Sequence, residues 1–267
     1  MGPALRRYGR AYAACLRMSL NQAMIYPMSF VSQVAGHVAA IGLSVFFFAV
    51  IYLGGATSVA GWSLPQVLLL LATNNLISWL DAFFFGSNLG RIPNLVRTGA
   101  LDYYLLKPLS PRFLLSVQRA NITAVLSLAA QAPLFAYALG ALELAPGAAQ
   151  VGLYVVLVLA GAVMRHSLGF AAAALSLWWT DSSSLQIMIG EVLDLAGYPA
   201  DIYRRGIRLV LTYIVPVAVI ANFPAQALQG LLAPAWVGVA VGLAALLFAA
   251  SGWVWRFSVK RYTGASG

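Results

Sequence analysis

The feature that most constrains this chain is a series of long segments almost without charge. A helix needs about 20 mostly apolar residues to cross the hydrocarbon of a bilayer. Segments 28–53, 64–85, 120–142, 151–178 and 236–255 meet that requirement, and 185–198 falls short of it. Only 9% of the 267 residues are charged and 61% are hydrophobic, whereas a soluble domain carries about 25% charged residues. A soluble fold of this composition would leave too much apolar surface in water. Backbone groups in hydrocarbon must be hydrogen-bonded internally, so the segments are read as helices. The expectation is an all-α polytopic membrane protein with six transmembrane helices. A further apolar segment, 207–231, is interrupted by Pro216 and Pro224 and carries Asn222 and Gln226. It reads as a broken or re-entrant helix, a form tolerated where the backbone is buried in protein or lines water.

Charge sets the orientation. Lys and Arg number 16 against 7 Asp and Glu. In a membrane protein such an excess marks cytoplasmic loops and anionic lipid headgroups, not nucleic acid. Arg6, Arg7, Arg10 and Arg17 precede the first span. Arg91, Arg97, Lys107, Arg112 and Arg119 lie between the second and third, and Arg256, Lys260 and Arg261 follow the last. The loops after the first and third spans have no basic residue. Both termini are therefore expected in the cytoplasm. Arg204, Arg205 and Arg208 resist this scheme, because they follow the short fifth segment. Charge alone slightly favours a competing arrangement, in which 191–208 is cytoplasmic and 207–231 is the fifth span. The long apolar stretch after the basic start, with no small-residue cleavage pattern, argues against a removable leader.

Two pieces are expected outside the hydrocarbon. In 3–26, at about 100° per residue, Arg6, Arg10 and Arg17 fall within roughly 40° of one another, opposite Leu5, Tyr8, Tyr12, Cys15 and Leu16. That predicts an amphipathic helix in the headgroup layer. Segment 91–113 is too polar to span and too apolar to be a floppy linker. Gly99, Pro108 and Pro111 punctuate it and leave a short helix over 100–106. Asp102 sits in its first turn, and Leu101, Leu105 and Leu106 are expected to form one apolar edge where another protein docks.

No phosphate-binding loop is present: Lys107 and Lys260 are the only lysines, and neither follows a glycine. No metal-ligand spacing or nucleophile elbow occurs either. With a single cysteine, Cys15, there is no intrachain disulfide. An ATP-driven reading therefore needs a separate ATPase.

Several of these residues resemble a known family. Gly99, Ala100, Leu101, Asp102, Leu105, Leu106, Lys107, Pro108, Pro111, Arg112 and Phe113 resemble the cytoplasmic coupling segment of type-2 ABC export permeases. Within that group they resemble a bacterial viologen- or multidrug-exporter-like subfamily. Tyr198, Pro199, Ile202, Tyr203, Arg208, Thr212, Pro216, Phe223, Pro224 and Gly230 resemble its segment before the last span. A second proline common after the Ile-Tyr pair is replaced here by Arg204 and Arg205. The resemblance covers nearly the whole chain and implies a single permease domain: interface helix 3–26, spans one and two in 28–88, coupling loop 91–113, spans three to five in 116–198, an outer re-entrant pair in 199–231 and span six in 236–256. It places the three arginines outside. It also implies a bacterial inner-membrane half-transporter, paired with an identical or related permease and with an ABC ATPase that holds the ATP and Mg. The chain itself would be non-catalytic, bind no cofactor, and pass an apolar or amphipathic substrate outward.

Among single residues, Arg165 in the fourth span is expected to pair with Glu191 or Asp194, which are three apart and share a helix face. Fixing helix packing is the leading role for that pair, and a substrate or gating role the second. Asp81, with Asn74 and Asn75, either lines a polar path or caps and snorkels. His37 and His166 are read as hydrogen-bonded interior residues, and Phe46–48 and Phe83–85 as packing and lipid contacts. Gly238 and Gly242 are spaced for close helix packing. The competing functions are an ion-gradient transporter, weakened by the lack of matching halves, and a membrane enzyme or assembly factor, weakened by the lack of clustered catalytic side chains.

Overall fold

The computed structural model describes residues 3–25, 27–178 and 183–262. Their regular elements are all helical, with no strand among the described residues. The interface segment is α1, Pro3–Ile25, followed by α2, Pro27–Leu53. Next comes α3, Leu64–Asp81, which runs on through a π-helical turn, Ala82–Gly86. Four short helices then fold over one end of the bundle: α4 Ser87–Leu89, α5 Ile92–Arg97, α6 Leu101–Leu105 and α7 Pro111–Val117. The long helices α8, Thr123–Ala141, and α9, Ala148–Leu175, follow. After them come α10 Ser183–Asp194, two 3₁₀ turns at Leu195–Gly197 and Ala200–Ile202, and α11 Arg205–Leu209 with its π-helical extension Val210–Ile214. The chain ends with α12, Val217–Leu228, and α13, Ala235–Lys260.

Five helical segments are long and apolar enough to cross a membrane: Phe30–Leu53, Leu64–Phe85, Thr123–Ala141, Ala148–Leu175 and Ala235–Lys260. The protein is thus an all-α polytopic membrane protein. At its centre α9 packs against α13, α12, α3 and α10. Gly161 makes the closest of these approaches possible, since a Cβ there would lie 2.7 Å from the Ile220 carbonyl oxygen. Serine or alanine at 161 would push α12 off α9.

The expected fifth span takes an unusual form. With 12 residues, α10 is about 18 Å long, too short to cross alone. It begins near Gly90, whose added Cβ would meet the Gln186 side chain at 3.8 Å, at the end of the bundle that holds Asn88. Through the two 3₁₀ turns it reaches Asp201, which accepts a hydrogen bond from the Trp62 indole at the opposite end. From there α11 and its π turn lead inward, the chain bends by 87°, and α12 returns. Both ends of this pair sit at the Trp62 end. Arg208 bonds Asp201 at 2.6 Å, and Gln229 accepts from Gln66 beside the start of α3. The bend at Val217 and the Ile220 contact lie deep, against Gly161 and Ile77. Both ends of the bent pair thus lie at one end of the bundle, the arrangement of a re-entrant pair. The link from one end of the bundle to the other between α9 and α12 is made by α10 and the 3₁₀ turns. Asn222 holds that link: its side chain accepts from the Ala200 N–H at 2.9 Å and donates to the Tyr198 carbonyl.

Candidate functional site

The loop 91–113 is a packed platform with its own apolar core. Ile92, Leu95, Leu101, Tyr104, Leu114 and Leu115 are buried against Phe170 of α9 and Trp255 of α13. Gly99, at φ 69°, turns the chain between α5 and α6, in the left-handed region that glycine adopts without steric cost. The single apolar edge expected for Leu101, Leu105 and Leu106 is corrected here. Leu101 is fully buried, Leu105 is half-buried, and only Leu106, 85% exposed, faces out. Its outward neighbour is Tyr103, 64% exposed, over whose ring the Lys107 ammonium lies 4.1 Å from the centroid. The helix is too short for two faces, and Tyr104 joins Leu101 on the inner side. Ala100 and Pro108 are exposed at its two ends, and Asp102 is half-buried in its first turn. Tyr262 packs nearby, where burial first, and then the Asp102 carboxylate, push its phenol pKa up.

Three ties hold this platform together and to the rest of the chain. The Asn88 carboxamide donates to the carbonyls of Ser116 and Arg119 at 2.9 and 2.8 Å and accepts from the Arg119 N–H at 2.9 Å, closing the platform like a clasp. Arg112 donates to Ser251 Oγ at 2.7 Å and to the Phe248 carbonyl on α13, with its guanidinium 4.1 Å from the Phe248 ring centroid. Tyr8 of α1 accepts from the Ser110 N–H and meets Phe113 edge-on. Tyr12 stacks on Phe84, so the apolar face of α1 lies partly on protein. Sequence reasoning did not single out Asn88 or the role of Arg112. An asparagine in a polar loop carries no local signal.

Inside the bundle, Arg165 pairs with Asp194 at 2.9 Å, while Glu191 points away and is exposed. The Arg165 side chain is 14% exposed and that of Asp194 62%. Asp81 lies 3.8 Å from His166 Nδ1, and His166 Nε2 is 3.2 Å from Ser116 Oγ. The fourth-span histidine thus reaches the platform through Ser116, while its Nδ1 makes no hydrogen bond to Asp81. Two side clefts, of about 490 and 580 Å³, meet at Ser44, Asn75, Ser78 and Arg165. Asp81, Gln131 and His37 line the first, and Asn74, Asp194, Phe47 and Phe48 the second. Together they make a polar groove along α2, α3 and α10. Tyr198 lines the second cleft with Arg165 and Asp194, whereas Pro199, Tyr203, Pro216 and Pro224 lie apart from Arg165. A Cβ on Gly238 or Gly242 would meet nothing within 4 Å, so this pair does not pack within the chain.

The described residues thus form a helical membrane bundle with a packed platform at one end, a bent helical pair at the other and a groove between. The profile of the ABC-2 family transporter proteins matches residues 38–266, and the chain belongs to that family. No match is found among curated proteins or among solved structures.

Proposed function

We propose that the chain is the permease subunit of an ATP-driven exporter of the viologen- or multidrug-like kind, working as a pair of permeases with a separate ABC ATPase. The observation that carries this reading is the Arg165–Asp194 pair. A carboxylate 62% exposed within a span cannot face acyl chains without large cost. It calls for a second permease across the groove, or for water and cargo in it. The aromatic and polar lining suits an amphipathic substrate. The platform is the ATPase-docking surface, with Tyr103 and Leu106 as its contact, and Arg112 and Asn88 carry closure into α13 and α3. The ATP and Mg belong to the partner, and this chain supplies no hydrolytic residue. Twelve of the sixteen basic residues lie at the Asn88 end and three at the Trp62 end, so the Asn88 end and both termini are cytoplasmic in the bacterial inner membrane.

ATP hydrolysis by a candidate ABC ATPase tests the reading, measured in liposomes with the native chain and with Tyr103→Ala/Leu106→Asp. The native chain should stimulate hydrolysis. The variant should insert and melt normally yet fail to stimulate. If no such ATPase binds the native chain with a related permease also present, the reading is lost.

A further inference from the structure

The arginines at the Trp62 end remain unexplained by the transport reading. Arg204, Arg205 and Arg208 crowd one short stretch on the face where basic residues are statistically rare. Asp201 is the carboxylate bonded to this run, through Arg208, which leaves two positive charges uncompensated by that contact. Arg205 has no ion pair or hydrogen bond among the described residues.

These side chains border a cavity of about 690 Å³ between the re-entrant pair and the start of α13, lined by Arg205, Arg208 and Asp201 together with Asn222 and Gln226. Two cations against one carboxylate give the lining a net positive charge. Asn222 is spent on the 198–200 backbone, and Asp201 holds one edge of the Arg208 fork while itself fixed by Trp62. The rest of the Arg208 fork and the whole of Arg205 are available, and guanidinium groups match the oxygens of a phosphate. Apart from Thr212, the rest of the wall is largely apolar or aromatic: Leu209 and Leu231 are exposed beside it, and Trp236 and Tyr213 complete it. Indole and phenol rings at a bundle end favour the headgroup level of a bilayer. A positive, aromatic-edged cavity with greasy flanks at that level fits a charged head with acyl chains behind it.

We propose that this cavity binds a phosphate group, carried by an anionic phospholipid of the leaflet at the Trp62 end, through Arg205 and Arg208. The site is independent of the ATPase, so its failure would leave the transport reading untouched.

The chain's one cysteine allows a local probe. In a Cys15→Ser background, Thr212→Cys, on the cavity wall, is labelled with bimane. The full chain is reconstituted in phosphatidylcholine vesicles containing equal mole fractions of phosphatidylglycerol or phosphatidylcholine spin-labelled near the headgroup. Phosphatidylglycerol should quench with about thirtyfold higher apparent affinity, from two surface arginines. Arg205→Gln/Arg208→Gln should abolish the preference at unchanged melting temperature, and Arg205→Lys/Arg208→Lys should keep part of it. If inorganic phosphate outside the vesicle erases the preference, the phosphate chemistry stands and the soluble anion is the occupant. If it does not, the lipid is. Equal quenching by both lipids, or a preference that survives the glutamine variant, overturns the proposal.

Discussion

Asp194 and Arg165 have unequal stakes in their ion pair. The guanidinium is mostly enclosed and the carboxylate mostly open. Removing the carboxylate strands a buried cation, an error that costs about 3–5 kcal/mol in a fully buried pair and less here, because Asp81 shares the groove. Removing the guanidinium leaves a carboxylate already open on one side. Asp194→Ala should therefore lower the melting temperature in detergent more than Arg165→Ala, and the double variant should recover part of the loss. Equal single effects that simply add would show that the pair contributes no coupling. Sequence periodicity was enough to place Arg165 against the 191/194 face. It could not choose between Glu191 and Asp194, because both lie on one face and the choice depends on how α10 is rotated against α9. A second residue-scale expectation concerns Cys15. Burial raises its thiol pKa, so thiolate is scarcer at neutral pH than in a free cysteine. Maleimide labelling of the folded protein should be slower at pH 7, and should keep accelerating at alkaline pH after a free thiol has levelled off. A profile matching free cysteine would refute it.

Among the elements, α6 shows where sequence patterning runs out. Its five residues make about one and a half turns, too few for a hydrophobic period to point anywhere. The inner face is set by Phe170 and Trp255, contributed from far along the chain. The long spans were legible because some 20 uncharged residues leave no alternative in a bilayer, and α3 with its π turn ends where the apolar run does. The short α10 was legible only as an anomaly, since its crossing is completed by 3₁₀ turns held by Asn222, a tertiary contact. The burial difference within α6 makes a sharp prediction. Leu101→Ala should cost about 2–5 kcal/mol, the range for emptying a packed core site, and should lower the melting temperature of the whole protein. Leu106→Ala should leave melting unchanged and reduce ATPase stimulation alone. If Leu101→Ala melts like the native chain, the packed core of the platform does not support the fold.

At the scale of the whole molecule, the re-entrant pair decides the topology. If 205–228 crossed the membrane, its two ends would lie on opposite sides, and the arginines at 204–208 would be cytoplasmic, as charge alone slightly prefers. The structure instead ties both ends to the start of α3, through Asp201 to Trp62 and through Gln229 to Gln66. The statistical rule is weakest late in a chain, where earlier helices have already set the orientation, and buried contacts hold α12 against α9. In a Cys15→Ser background, cysteines placed singly at Arg204, Leu231 and Leu106 separate the two arrangements. All three sites are exposed, so a membrane-impermeant maleimide reaches each from its own side. Applied to intact cells, it should label 204 and 231 equally and spare 106. Applied to inverted membrane vesicles, it should label 106 and spare the other two. Labelling of 204 and 231 from opposite sides would convert the pair into a true span, and α10 would then have to turn back within the membrane on the cytoplasmic side.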